Sequence, residues 1–248
     1  MNSFSRFLLF LLVIVLWEIL ALVSPSPLFP SPVDVVYAFN ELLVKDCLVW
    51  NMFLSITRML VGYALGVVIG IGIGLAGLLF RSLGDALYPL VAFITVTPAF
   101  AFLPLLMIWV GLNDALVIYV LVICVSFPII YSLRSSVKMI NRDYVDAATM
   151  FGANRFTVLL YIVFPLSVTH ISSMLKMEAG HAWRLTIMGE FLALTNGLGK
   201  LLYDAYTMIR VDKIIALIII VGLLAYIIQA LIEFVETKIT EKWGLGLA

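Results

Sequence analysis

The 248-residue chain is 64% hydrophobic and only 12% charged, and its mean hydropathy of +1.16 excludes an ordinary water-soluble domain. Fifteen Lys plus Arg balance fifteen Asp plus Glu, so net charge gives no footprint for nucleic acid or for an acidic partner. Cys47 and Cys124 stand far apart without metal-like spacing, which supports neither a disulfide framework nor a zinc site and leaves ordinary packing.

A helix needs about 20 apolar residues to cross the hydrocarbon core. Six stretches meet that need: 7–23, 59–80, 87–110, 115–133, 169–194 and 214–234. Together they make one transmembrane domain over 1–248, an all-α polytopic bundle. The first stretch ends at Ser24-Pro25-Ser26-Pro27 and lacks an Ala-x-Ala cleavage site, so it reads as a spanning helix with Glu18 near its outer end. In the second, Gly62, Gly66, Gly70 and Gly74 recur every four residues on one helix stripe, a device for close backbone approach and not a ligand site.

The third and fourth stretches carry Pro89, Pro98, Pro104 and Pro128, which free backbone carbonyls either for bending or for lining a polar path. Gly111 to Asp114 between them reads as a tight outer turn. The polar loop 134–165 follows, the longest charged interruption on its side of the membrane. Asp146, Ala147 and Ala148 begin a small-residue helical turn there, and Gly152 ends it through a left-handed conformation. Phe156 to Val168 is apolar but too short to span and contains Pro165, which suits an interfacial segment. With six spans, Arg6, Arg81, Arg134, Lys138, Arg142, Arg155, Lys238 and Lys242 share one side, so both termini and the loop are assigned to the cytoplasm.

The run Asp146-Ala147-Ala148-x3-Gly152-x9-Ile162-x-Phe164-Pro165 resembles the loop motif of permeases of binding-protein-dependent ABC importers, Glu-Ala-Ala-x3-Gly-x9-Ile-x-Leu-Pro. Spacing matches throughout, with Asp for Glu and Phe for Leu. Pro98 to Pro104 with Trp109-Val-Gly111, Phe127-Pro128, Gly197-Leu198-Gly199 and Trp243 are similar to the sulfonate, taurine and nitrate branch. The resemblance implies a type I importer permease fold in the cytoplasmic (inner) membrane, with 134–165 carrying a coupling helix. It implies a homodimer, two cytoplasmic ATPase subunits that bind ATP and Mg, and an external solute-binding protein. Asp146, Ala147, Ala148, Gly152, Ile162 and Pro165 would then couple to the ATPase, the two alanines allowing close seating in its groove. No catalytic residue, cofactor or metal is expected in this chain, and Gly197-Leu-Gly-Lys200 lacks the spacing and hydroxyl residue of a phosphate loop.

Charges in hydrocarbon cost about 2.5–3.5 kcal/mol each at a helix centre, so those in the fifth stretch face a cavity or one another. Glu178, His181 and Arg184 fall on one side of that helix, and Lys176, Trp183 and Glu190 nearer the other. Glu178, His181, Arg184 and Glu190 are therefore candidates for the translocation pathway, with interhelical ties as the equal alternative. A secondary transporter or channel is the rival function, but it has no need of the 146–165 motif. An intramembrane enzyme ranks last, since no paired catalytic motif accompanies these groups.

Overall fold

The computed structural model describes residues 3–23 and 26–242, so the Ser24-Pro25 break and Trp243 lie outside the described residues. The helices in chain order are α1 (Ser3–Val23), α2 (Pro32–Val44), α3 (Leu48–Leu79), α4 (Arg81–Val96), α5 (Leu103–Val110) and α6 (Asp114–Met139). After them come α7 (Arg142–Met150), α8 (Arg155–Val158), α9 (Phe164–Ala193), α10 (Leu198–Thr207) and α11 (Val211–Lys242). By contact the chain divides into two compact units, Met1–Ile56 with Glu190–Leu224, and Thr57–Gly189 with Ala225–Ala248.

In the second unit the glycine stripe of α3 lies against α6. A Cβ on Gly62, Gly66, Gly70 or Gly74 would come 2.6, 2.8, 2.9 or 2.6 Å from Leu121, Val125, Ile129 or Leu133. Both sets step by four and rise together, so the two helices run parallel with large residues seated against bare backbone. At the start of α6, Asn113 caps the helix by accepting from the Leu116 N–H at 3.3 Å. Tyr63 on α3 donates its hydroxyl to the Leu175 carbonyl of α9 at 2.9 Å.

Three expectations about the spans need correction. Helix α3 starts at Leu48 and not near residue 59, and Arg58, just outside the expected span, is 3% exposed inside the helix. Its Nη2 lies 2.6 Å from Oδ1 of Asp114 at the start of α6, so a paired cation is held where an unpaired one would end the segment. The third stretch is not one straight helix: α4 and the segment Ala99–Val110 meet at 103°. Pro98 holds Thr97 extended (ψ 129°), so the Thr97 N–H turns to the Ile94 carbonyl at 3.1 Å and its hydroxyl serves the Phe93 carbonyl at 2.8 Å, while the Thr95 hydroxyl adds a 2.8 Å bond to the Val91 carbonyl. Pro104 then sits in the first turn of α5, where its missing N–H costs nothing.

The Phe156–Val168 segment is likewise continuous with the fifth stretch through a bend of 62° between Arg155–Ser167 and His170–Ala193. A π turn over Leu159–Val163, closed by the Phe164 N–H on the Leu159 carbonyl, precedes Pro165, which has no N–H with which to continue the ladder. Leu48–Leu79, Asp114–Val137 and Val211–Phe234 are long and apolar enough to cross a membrane alone. The two bent pairs add further candidates, and Phe7–Val23 is a shorter apolar helix.

In the first unit, α2 was not anticipated, although its cap is written in the sequence. Ser31 accepts from the Asp34 N–H at 3.2 Å, the Asp34 carboxylate accepts from the Ser31 N–H at 2.9 Å, and Pro32 fills the first turn. Trp17 of α1 donates Nε1–H to the Pro30 carbonyl at 3.0 Å. Cys47 is exposed in the turn after α2 with φ +48°, so packing does not explain it; Cys124 is half-buried.

The α3–α6 seam predicts unequal effects of single methyl groups. Gly70→Ala places a Cβ 2.9 Å from both Ile129 and the Ser126 carbonyl and should cost about 1–3 kcal/mol, read as a lower midpoint in thermal unfolding of the detergent-solubilised chain. Gly72→Ala, with nothing within 4 Å, should leave the midpoint unchanged or slightly higher.

Candidate functional site

The loop motif folds as the sequence suggests. Asn141 caps α7 by accepting from the Asp143 N–H at 3.0 Å, and Asp143 lies in the first turn, where a carboxylate favours the helix dipole. At the other end Gly152 takes φ +85°, its N–H reaches the Thr149 carbonyl at 2.9 Å, and the Ala153 N–H reaches the Ala148 carbonyl at 3.0 Å. These two bonds form a Schellman cap, which gives Gly152 a physical role: the left-handed residue that stops the helix.

The faces of α7 divide the predicted residues. Val145 and Ala148 pack inward on a cluster of Val158, Leu159 and Val163. Asp146 and Ala147 point outward. Ala148 therefore fits α7 to its own base, which corrects the expectation that both alanines seat in a partner's groove. Ile162 and Pro165 lie in and just after the π turn that carries the loop into α9, and neither reaches the exposed tip. That tip shows residues the sequence reading missed: Tyr144 is 59% exposed, Met150 89% and Phe151 93%. Large apolar side chains next to a glycine stop were the available signal.

On α9 the structure brings Glu178, His181 and Arg184 together and separates Glu190 from them. The first three line a cavity of about 560 Å³ with Thr95, Thr97, Cys124 and Pro128. Glu178 is 2% exposed; His181 Nδ1 is 3.5 Å from its Oε2, and that oxygen has no hydrogen-bond partner among the described residues. Pro128 offers no N–H to the Cys124 carbonyl one turn back, so the wall carries a carbonyl without its helical donor. Lys176 leaves the group and pairs with Glu233 of α11 at 2.7 Å, an interhelical tie.

Glu190 is fully buried in the first unit and does not line this cavity. Its Oε2 accepts from the Ser55 hydroxyl at 2.7 Å and from the Gly199 N–H at 3.1 Å. The same hydroxyl accepts from the Leu198 N–H at 2.9 Å, and Asn51 Oδ1 accepts from the Gly197 N–H at 2.6 Å. The N-terminus of α10 thus receives a carboxylate, a hydroxyl and an amide, satisfying donors that have no helical partner. A Cβ on Gly197, which takes φ +107°, would fall 2.4 Å from the Glu190 carboxyl carbon, so this position tolerates only glycine.

Residues 48–241 match the family model described as binding-protein-dependent transport system inner membrane component. The chain belongs to this family. It is 30% identical to a provisionally named ABC transporter permease protein of Methanocaldococcus jannaschii, over 92% of this chain and 87% of that protein. It is 26% identical to the taurine transport system permease protein TauC of Escherichia coli (94% and 87% covered) and to the nitrate import permease protein NrtB of Synechocystis sp. (91% and 85%). Among solved structures, the inward-facing MetNI methionine ABC transporter matches with TM-score 0.67 at 16% identity, over 77% of this chain and 95% of that one. A bacterial ABC transporter that imports alginate matches at 0.66 and 15%, over 96% and 93%. The fold is that of type I importer permeases. The protein is a membrane-embedded, non-catalytic permease subunit of an ABC importer, whose ATPase is a separate chain and which works with a solute-binding protein.

An ionic clamp lies in the first unit of the permease. Arg210 donates to Glu41 at 2.9 Å and to Asp212 at 2.7 Å, while Lys213 reaches Asp46 at 2.7 Å and Glu41 at 3.4 Å. Arg210 follows Ile209, which takes φ +54° in a Schellman cap closed by Arg210 N–H on the Ala205 carbonyl at 2.9 Å. A β-branched residue is strained there, and the clamp holds the turn in place. The Arg210 hydrogen bond, helped by Lys213 and opposed by partial burial, holds the Glu41 carboxyl at about 2, below its ordinary 4.5.

Two outcomes are expected. Glu190→Ala strands the Gly199 donor and should destabilise by about 1–3 kcal/mol, with Glu190→Gln milder, in thermal unfolding of the solubilised protein. The stabilisation from Glu41 is complete above its ordinary value of 4.5 and disappears as pH falls toward about 2. Unfolding scans over that range should show a smaller acid-side loss in Glu41→Gln than in wild type.

Proposed function

We propose that two copies of this permease form the pathway of an importer for a small anion, with both termini and α7 on the cytoplasmic side. The exposed tip of α7 carries this reading. A capped helix that holds Phe151 at 93% exposure beside Met150 suits a groove on an ATPase subunit, and burial there offsets the cost of leaving both in water. The Val158–Leu159–Val163 cluster and the π turn lie between α7 and α9, which supports a reading in which movement of the tip is passed to the helix bearing Glu178, His181 and Arg184. ATP with Mg binds the partner subunits, whose closure shifts the permease between inward-open and outward-open states.

The second copy is supported by one face of α9. Ser173, Met177, His181, Arg184 and Met188 are all exposed at helical spacing, and two cationic or titratable side chains among them are costly against lipid. A second protomer or a water-filled path would cover that face. Arg184 supplies an anion partner in the cavity, and the relatives named for taurine, nitrate and aliphatic sulfonates point to the same class of solute. Orientation is supported by the cations gathered at the α7 end.

Copurification with the ATPase subunit tests this reading. Phe151→Asp alters a side chain that touches little of the permease, so its stability should change by at most about 0.5 kcal/mol while assembly and ATP turnover are lost. Ala148→Arg should lower stability as well, because that residue packs inward. Wild-type transport in liposomes on an ion gradient with no ATPase would overturn the proposal in favour of a secondary transporter.

A further inference from the structure

A second cavity, of about 470 Å³, lies in the second unit at the end of the spans from which α7 projects. Arg81, Arg134 and Arg155 line it, and Asp85, the one acidic group among its described lining residues, is shared by the first two. Arg134 is fixed: it donates to the Gly84 carbonyl at 2.7 Å and to Asp85 at 2.9 Å, with its guanidinium 4.1 Å over the Tyr88 ring. Arg81 is 89% exposed and only 3.7 Å from Asp85, which Arg134 already occupies. Arg155 is exposed, with no ion-pair partner among the described residues. The backbones of α3 and α4 approach closely beneath, since a Cβ on Gly84 would lie 2.3 Å from the Gly77 carbonyl oxygen.

The remaining walls are apolar. Ile73 and Leu78 of α3, Leu87 of α4 and Ile130 of α6 descend from the arginines along faces that belong to membrane-crossing or membrane-entering helices. A site with guanidiniums at the mouth and aliphatic walls below matches a ligand with an anionic head and a hydrocarbon tail. A free anion would use the mouth and leave the walls empty, and an acidic protein face would not fill a cavity. We infer that this cavity binds the phosphoryl headgroup of an anionic phospholipid, with Arg81 and Arg155 as its partners and Arg134 as the fixed floor. The ligand would touch α4, α6 and the start of α8, the base on which α7 rests, so the lipid would brace the element that meets the ATPase.

The test uses the full chain in neutral detergent, with phosphatidylglycerol, phosphatidylcholine or inorganic phosphate added and thermal unfolding as readout. Phosphatidylglycerol should raise Tm by about 4 °C, and the other two should not. Arg81→Gln with Arg155→Gln should keep the lipid-free Tm and lose at least half of that rise. Native mass spectrometry should show fewer retained phosphatidylglycerol molecules on the same variant. An equal rise with phosphatidylcholine, or an unchanged rise in the variant, would overturn the site. A full effect of inorganic phosphate alone would overturn the lipid in favour of a soluble anion. Loss of ATPase assembly in the variant without any lipid response would assign the arginines to the protein partner instead.

Discussion

The parallel seam between α3 and α6 is the constraint on which the second unit depends. Four glycines on one helix meet four branched aliphatic residues on the other at a common spacing, so backbone approaches side chain closely over several turns. In a bilayer the hydrophobic effect does not drive helices together, and such van der Waals packing has to supply the association. Because the helices run the same way, the chain between them must return across the same layer. That return is α4 and α5, bent at Thr97-Pro98. The seam also sets where its ends meet: Arg58 with Asp114 at one end, and Arg134 with Gly84 and Asp85 at the other.

Polar groups buried in an apolar medium must be satisfied locally, and the permease does this in two ways. At the start of α10 in the first unit the N–H groups of Gly197, Leu198 and Gly199 are accepted by Asn51, Ser55 and Glu190, and a carboxylate becomes a structural part of a helix start. In the cavity on α9 satisfaction is incomplete, since one oxygen of Glu178 lacks a hydrogen bond among the described residues and Arg184 stays exposed. Unspent hydrogen-bonding capacity beside an open volume is the physical signature of a place that meets water or solute. Two glutamates on one helix, twelve residues apart, thus have opposite surroundings: Glu190 is hydrogen-bonded to a helix start, and Glu178 borders an open volume.

The loop that carries α7 joins packing at its base to exposure at its tip. Its cap, its inward Val145 and Ala148 and the π turn before Pro165 tie α7 to its base, while its tip leaves Phe151 93% exposed.

The sequence by itself determined the membrane class, the helical fold, the glycine stripe as a packing device and Gly152 as the end of α7. Each follows from local composition or spacing, which the chain carries without reference to distant residues. The capping box of Ser31 and Asp34 that starts α2 is equally local. Only the tertiary structure decided that Arg58 lies inside a helix, since its partner Asp114 is 56 positions away. It also decided that Ala148 packs inward and that Glu190 answers the N-terminus of α10. Helical periodicity places a side chain on a face, but which groups stand opposite that face depends on the packing of segments far apart in the chain.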